Sequence, residues 1–150
     1  FALGEALTVT VTPGSRQRWL FSHPKLHLFV PSAIEARVVL EKALREKARL
    51  TFAERLAHYA LQLGVPPPPL RLSAARTRWG SCSQHGGISL NWRLILMSLP
   101  VVDYVVAHEL AHLKEMNHGP GFWSVVEQLC PDWRARRLEL RQLARQIPQI

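Results

Sequence analysis

The chain has 150 residues, of which 47% are hydrophobic; this is the size and apolar content of one globular domain, and it excludes a disordered or fibrous protein. The formal net charge of +8 favours polyanionic partners, with nucleic acid first among them. No segment has the pattern of a signal peptide or a bilayer span, so the sequence predicts a cytoplasmic protein without membrane contact, and it leaves the oligomeric state open.

The first part of the chain has the alternation of apolar and polar residues that is typical of short strands. Residues 7–12, 18–21 and 26–30 show this pattern, and turn-forming residues separate them. Residues 1–31 are therefore predicted to form a small antiparallel β unit.

A long helix is predicted next, over residues 32–64. Ser32 and Glu35 have the spacing of a capping box, and apolar residues then recur at helical spacing. A second capping-box spacing, at Thr51 and Glu54, leaves open a break in the helix at that point.

The remaining part, residues 70–150, follows a stiff connector of four prolines at 66–69. Strand alternation recurs over residues 70–73 and 88–92, and Gly80 between them suggests a tight turn. Three helices are predicted after these strands, over residues 100–115, 122–129 and 131–147.

The helix predicted over residues 100–115 carries the motif His-Glu-x-x-His at residues 108–112. His108 and His112 are four positions apart and lie on one helical face, so both imidazoles can bind one metal ion. Glu109 is next to the first of them and can act as general base on a water that zinc activates. Because the helix is otherwise apolar, it is expected to be buried. Burying three ionisable groups on it would cost free energy unless a metal ion bound them.

The third ligand of a catalytic zinc is not fixed by this motif. His118 is favoured, because it follows His112 by six residues and precedes a Gly-Pro pair that must end the helix. Glu127 on the next helix and Glu115 on the His112 face remain alternatives. Glu115 also stands where the metzincins, which share the spacing of the three histidines, have glycine, so the chain is not assigned to that class.

Four short motifs occur around this helix: Arg-Trp-Gly-Ser-Cys at 78–82, Leu-Asn-Trp at 90–92, the segment 103–112, and Asn-His-Gly-Pro-Gly-Phe-Trp at 117–123. In this order they resemble the YgjP-like metallopeptidase family, which is related to the SprT, Spartan and WLM proteins. The resemblance implies a minimal zincin fold of the α+β class, in which a small antiparallel sheet and flanking helices surround the HExxH helix in a single domain over residues 1–150. It also implies that His108, His112 and His118 hold one Zn²⁺ ion and that Glu109 is the catalytic base.

The resemblance further implies that the strand at residues 88–91 is the edge strand with which a substrate backbone pairs. Leu90 and Asn91 are therefore candidate substrate contacts. Arg78 is a third candidate, if the turn that follows it lies at the rim of the cleft. For that turn a structural role, with Trp79 filling the core, is the favoured interpretation.

The last predicted helix carries four arginines on one face, namely Arg134, Arg137, Arg141 and Arg145. Such a face is usually solvated, but it can also contact the phosphate backbone of DNA, and the relation to SprT proteins adds some weight to this second interpretation.

Together these features predict a zinc-dependent metallopeptidase that hydrolyses the peptide bonds of a protein or peptide with a metal-activated water. Two alternatives use the same ligands: a zinc hydrolase of a non-peptide substrate, and a DNA-associated binding module that zinc only stabilises. The second alternative would need a fourth protein ligand to close the metal site.

Overall fold

The computed structural model describes residues 1–146 and has an α+β architecture, as the sequence predicts. Its strands are β1 (Thr8–Pro13), β2 (Arg18–Ser22), β3 (Lys25–Val30), β4 (Leu70–Ser73), β5 (Gly80–Cys82) and β6 (Ile88–Asn91). Its α-helices are α1 (Ala36–Leu63), α2 (Leu99–Ala111), α3 (Pro120–Leu129) and α4 (Trp133–Ala144). The predicted end of the last helix at Ile147 lies outside the described residues.

The N-terminal sheet is mixed, with strand order β1-β3-β2. β2 and β3 are antiparallel, whereas β1 runs parallel to β3 on its other side, so the predicted antiparallel unit is wrong for β1. The reason lies in β3, where Leu26, Leu28 and Val30 are buried and pack against Val39 and Ala43 of α1. The most deeply buried strand takes the central place, because both of its edges then have hydrogen-bond partners.

The second sheet is also mixed, with order β4-β6-β5, in which β4 is parallel and β5 antiparallel to β6. β6 is thus the central strand and not the edge strand that the sequence predicts. Ile88, Leu90 and Asn91 of β6 are buried, and a strand buried this far needs partners on both edges. Gly80, predicted to lie in a tight turn, begins β5, whose outer edge has no strand partner within residues 1–146.

α1 is unbroken over Ala36–Leu63, so the break that the sequence leaves open at Thr51 does not occur. The helix continues through Thr51 because Ala48, Phe52 and Leu56 bury one continuous face in the larger core. Each large apolar side chain buried there contributes roughly 1.5–3 kcal/mol, which outweighs the roughly 1 kcal/mol that a new helix cap would provide.

α2 lies at the centre of the larger core, where it contacts the helices α1, α3 and α4 and the second sheet. Nine of its thirteen residues are buried, which explains why its sequence is apolar on nearly every side. It ends at Ala111, before the predicted end at Glu115, and the amides of His112 and Leu113 then bond three residues back instead of four. In the described part of the chain, every helix is too short or too polar to span a bilayer.

An ion pair between Arg55 and Asp103 joins α1 to α2. Nε and Nη2 of the arginine donate to the two carboxylate oxygens at 2.7 and 2.9 Å, and both side chains are largely buried. Replacing Arg55 with methionine is expected to lower the free energy of unfolding by about 2 kcal/mol, because the carboxylate remains desolvated and loses its partner. This change is measured by unfolding in urea, monitored by circular dichroism.

The matched control for this substitution is Arg49→Met, since Arg49 lies on the same helix and pairs with Glu46 at the surface. Its unfolding midpoint should not change. Adding Asp103→Leu to Arg55→Met should recover most of the lost stability, because no unpaired charge is then left. If Arg55→Met is as stable as the wild type, the pair contributes nothing to the joining of the two helices.

Candidate metal centre

His108 and His112 lie at the C-terminal end of α2 with their rings side by side. Their ring centres are 5.4 Å apart, and both side chains are partly exposed. Although α2 ends at Ala111, His112 keeps helical dihedral angles, with φ −65° and ψ −18°. The four-residue spacing therefore still places both rings on one face.

His118 folds back onto this pair from the turn before α3. The centre of its ring is 5.3 Å from that of His108 and 4.7 Å from that of His112. One nitrogen from each of the three rings lies within 4.8 Å of the others. Phe122 of α3 is fully buried and lies 5.0, 4.6 and 4.6 Å from the rings of His108, His112 and His118. Phe122 therefore packs against all three rings and restricts their positions.

The two alternative third ligands lie outside this group. Glu115 is exposed, with its carboxylate beside Gly121. Glu127 is also exposed, and it forms an ion pair with Arg134 at 3.9 Å. Within residues 1–146, the three histidines are the one group of side chains close enough to hold a metal ion.

The three-histidine group fits a tetrahedral zinc ion that keeps one position open. Bonds of about 2.0–2.1 Å place tetrahedral nitrogens about 3.4 Å apart, which small rotations of the rings can reach. Nδ1 of His112 is buried and has no hydrogen-bond partner in the described chain, so this ring has spare binding capacity. His118 is exposed overall, but desolvation of its ring and the neighbouring His112 and His108 lower its pKa, which favours the neutral form of the ring that metals bind.

Glu109 belongs to α2, its side chain lies against β5, and the residue is 5% exposed. Its Oε2 atom is 3.2 Å from Nδ1 of His108, so the carboxylate stands directly beside the histidines. The same carboxylate also packs against Gly80, where a Cβ atom would lie 2.8 Å from Oε2 and 3.0 Å from Cγ of the glutamate. Only a residue without a side chain lets β5 pass this close to Glu109.

Gly80 is thus a residue of the site whose role the sequence reasoning misses. The sequence carries one signal for it, the glycine of the Arg-Trp-Gly-Ser-Cys motif at 78–82, and that signal is equally compatible with a simple turn. The contact itself joins Gly80 and Glu109 across the fold, and no local pattern encodes such a contact.

The three predicted substrate contacts lie in different surroundings. Arg78 is exposed and precedes β5 by two residues. Leu90 is fully buried and Asn91 is 3% exposed, and β4 and β5 already pair with the two edges of their strand, so a substrate backbone cannot pair there as predicted. The amide nitrogen of Asn91 donates to the carbonyl oxygens of Ala75 and Arg78 at 2.8 and 3.3 Å. Asn91 therefore fixes the loop that leads into β5.

The four arginines of α4 do not form a uniform surface. Arg134, Arg141 and Arg145 are exposed, whereas Arg137 is partly covered. The Cζ atom of Arg137 lies 5.5 Å from the ring centre of Trp123, which borders the metal centre. Contact of these arginines with DNA stays a prediction.

A buried glutamate beside three converging histidines is the set of side chains found in metal-dependent peptidases. The family model of the YgjP-like metallopeptidase domain matches residues 2–143 of this chain. The chain therefore belongs to the YgjP-like metallopeptidase family.

Two solved structures of metallopeptidase zymogens are similar to this chain. Abylysin of Pyrococcus abyssi is 28% identical with a TM-score of 0.55, and the match covers 66% of this chain and 99% of abylysin. Jannalysin of Methanocaldococcus jannaschii is 18% identical with a TM-score of 0.53 over 64% of this chain and 97% of jannalysin, a likeness that concerns the fold alone. No curated protein matches the chain.

Proposed function

We propose that the protein is a zinc-dependent peptidase in which His108, His112 and His118 bind one zinc ion and Glu109 is the general base. The observation that carries this proposal is the convergence of three imidazole nitrogens within 4.8 Å beside a buried carboxylate. A zinc ion held there would polarise the scissile carbonyl and make water a nucleophile at neutral pH.

Glu109 would take the proton of the attacking water and deliver it to the leaving amine. Two contacts restrict the position of its carboxylate, since Nδ1 of His108 lies 3.2 Å from Oε2 and a Cβ atom at Gly80 would lie only 2.8 Å from the same oxygen. Its small exposure keeps bulk water away, which strengthens the electrostatic interactions of the carboxylate with the reacting groups.

The open edge of β5 is where the backbone of the substrate would bind. β5 begins at Gly80, whose backbone touches the general base, so a strand added to this edge would bring its peptide bonds past Glu109. This assignment replaces the predicted edge at β6. Of the three predicted substrate contacts, Arg78 is the one whose position is compatible with it.

The number of ligands supports catalysis over a purely structural role for zinc. A structural zinc site usually has four protein ligands, whereas this group supplies three ligands among the described residues. Membership of a metallopeptidase family likewise supports peptide bonds over non-peptide substrates. The cytoplasm is the proposed compartment, because Cys82 and Cys130 are unpaired thiols, which a reducing environment preserves.

The experiment that tests this function is cleavage of an unstructured DNA-binding protein by zinc-loaded enzyme, with and without single-stranded DNA. Cleavage that a chelator abolishes and added zinc restores would support the peptidase. Stimulation by DNA would support the contact predicted for the α4 arginines. Zinc binding without cleavage of any protein or peptide would overturn the proposal and favour a non-peptide substrate.

Removal of the metal is expected to lower the melting temperature by about 10 °C, because zinc at about 1,000 times its Kd stabilises the folded state by about 4 kcal/mol. His118→Ala should abolish the difference between zinc-loaded and chelated protein, which differential scanning calorimetry measures. His85→Ala removes an exposed histidine outside the three-histidine group and should keep the full difference. A zinc effect that persists in His118→Ala would exclude His118 as a ligand.

A further inference from the structure

Arg137 of α4 lies one aromatic ring away from the histidines. Its Cζ atom is 5.5 Å from the ring centre of Trp123, and that ring centre is 5.9 Å from His108 and 6.2 Å from His118. Trp123 in turn stacks on Trp133, with 4.3 Å between the ring centres. The guanidinium of Arg137 is therefore supported by a packed indole at the border of the metal centre.

Arg137 has no carboxylate within 4.0 Å among the residues that the structure describes. Its neighbours on the helix differ in this respect. Arg134 forms an ion pair with Glu127 at 3.9 Å, and Arg136 forms one with Asp132 at 3.0 Å. Beside the metal centre, Arg137 thus offers a cation whose hydrogen-bond donors are available to an incoming anion.

We propose that Arg137 binds a carboxylate of the peptide substrate, so that the enzyme prefers acidic substrates; this inference rests on the proposed peptidase function. A guanidinium donates two parallel hydrogen bonds to a carboxylate, and the indole of Trp123 beside it limits its orientations. The carboxylate can be the C-terminus of the peptide or the side chain of an Asp or Glu residue. Both sources present the same chemistry to Arg137.

Peptides of one core sequence test this inference and separate the two sources. They carry Gln or Glu at the positions flanking the scissile bond, and a free or an amidated C-terminus. Zinc-loaded wild-type enzyme should cleave the carboxylate-bearing peptides with a kcat/KM about 10- to 100-fold above that of the neutral, amidated peptide. Faster cleavage of peptides with a free C-terminus would show that Arg137 binds the terminal carboxylate. Faster cleavage of peptides with Glu in place of Gln would show that it binds a side-chain carboxylate.

Arg137→Gln should reduce this ratio of kcat/KM values to about 1, and Arg137→Lys should keep part of it. Arg134→Gln is the matched control, because Arg134 lies one turn earlier on the same helix, is exposed and is already paired with Glu127. It should keep the ratio of the wild type.

Three outcomes would overturn the carboxylate site. The first is a ratio that survives in Arg137→Gln. The second is an equal loss in Arg134→Gln, which would reflect the overall charge of α4. The third is an affinity for single-stranded DNA that both variants weaken equally while the ratio is unchanged, which would assign the arginines to nucleic acid. A wild type that cleaves no peptide refutes the peptidase function itself, whereas cleavage without preference refutes only the role of Arg137.

Discussion

Replacing Glu109 with glutamine is expected to lower kcat/KM for peptide cleavage by about 10²- to 10⁴-fold while zinc binding is retained. Glutamine keeps the size of the side chain and therefore its packing against Gly80, but its amide oxygen does not take up a proton at neutral pH. The three histidines are unchanged, so the group that would bind zinc stays intact.

The measurement combines steady-state cleavage of a fluorogenic peptide with zinc content determined on the same samples. Glu115→Gln is the matched control, because it removes the charge of an exposed carboxylate close in sequence to the ligands. Its activity should stay within about twofold of the wild type, as expected for a surface substitution. Full activity in Glu109→Gln would eliminate this residue as the general base, and loss of zinc in that variant would make the result a metal-binding effect.

Replacing Gly80 with alanine is expected to lower kcat/KM by about 10²-fold, although residue 80 carries no reactive group. The new Cβ atom would lie 2.8 Å from Oε2, 3.0 Å from Cγ and 3.2 Å from Cδ of Glu109. These distances are too short, so the carboxylate or β5 must move, and a displacement of about 1 Å is enough for an effect of this size. The three atoms nearest to the new methyl group all belong to Glu109 and none to a histidine, so zinc binding should persist.

Gly87→Ala is the control for this substitution, because a Cβ atom there would meet its nearest neighbour, Oγ of Ser83, at an ordinary 3.5 Å. Both variants carry one added methyl group near the β5–β6 hairpin. Cleavage rate, zinc content and far-ultraviolet circular dichroism are compared for the two. Equal activities would show that Glu109 adjusts at no cost, and the close approach of β5 would then have no catalytic meaning.

The sequence predicts the histidines of this site well because their arrangement is local. The four-residue spacing of His108 and His112 is a property of any helix, and the Gly-Pro pair after His118, which begins α3, keeps His118 in the turn between two helices. The structure brings these three side chains together as that reasoning expects. The predicted end of α2 is too late, but the helical conformation of His112 makes this error harmless for the site.

The sheets are where the sequence reasoning falls short, because strand alternation gives the faces of a strand and not its neighbours. The alternation around Leu90 predicts a strand correctly, but it does not predict that β4 and β5 pair with the two edges of this strand. The same gap explains Asn91, which is predicted to contact the substrate because its strand is expected at the sheet edge, and whose side chain instead holds the loop before β5. Pairing of strands is a long-range property that one sequence does not encode locally.

The three histidines lie between residues 108 and 118, whereas the contact between Glu109 and β5 requires a strand that begins at Gly80. The metal-binding residues thus have a low contact order, and the environment of the base has a high one. The group of histidines therefore needs only the segment from α2 to the turn before α3, whereas the environment of Glu109 needs the second sheet to be in place. A substitution that weakens the second sheet is thus expected to disturb the proposed general base more than the three proposed zinc ligands.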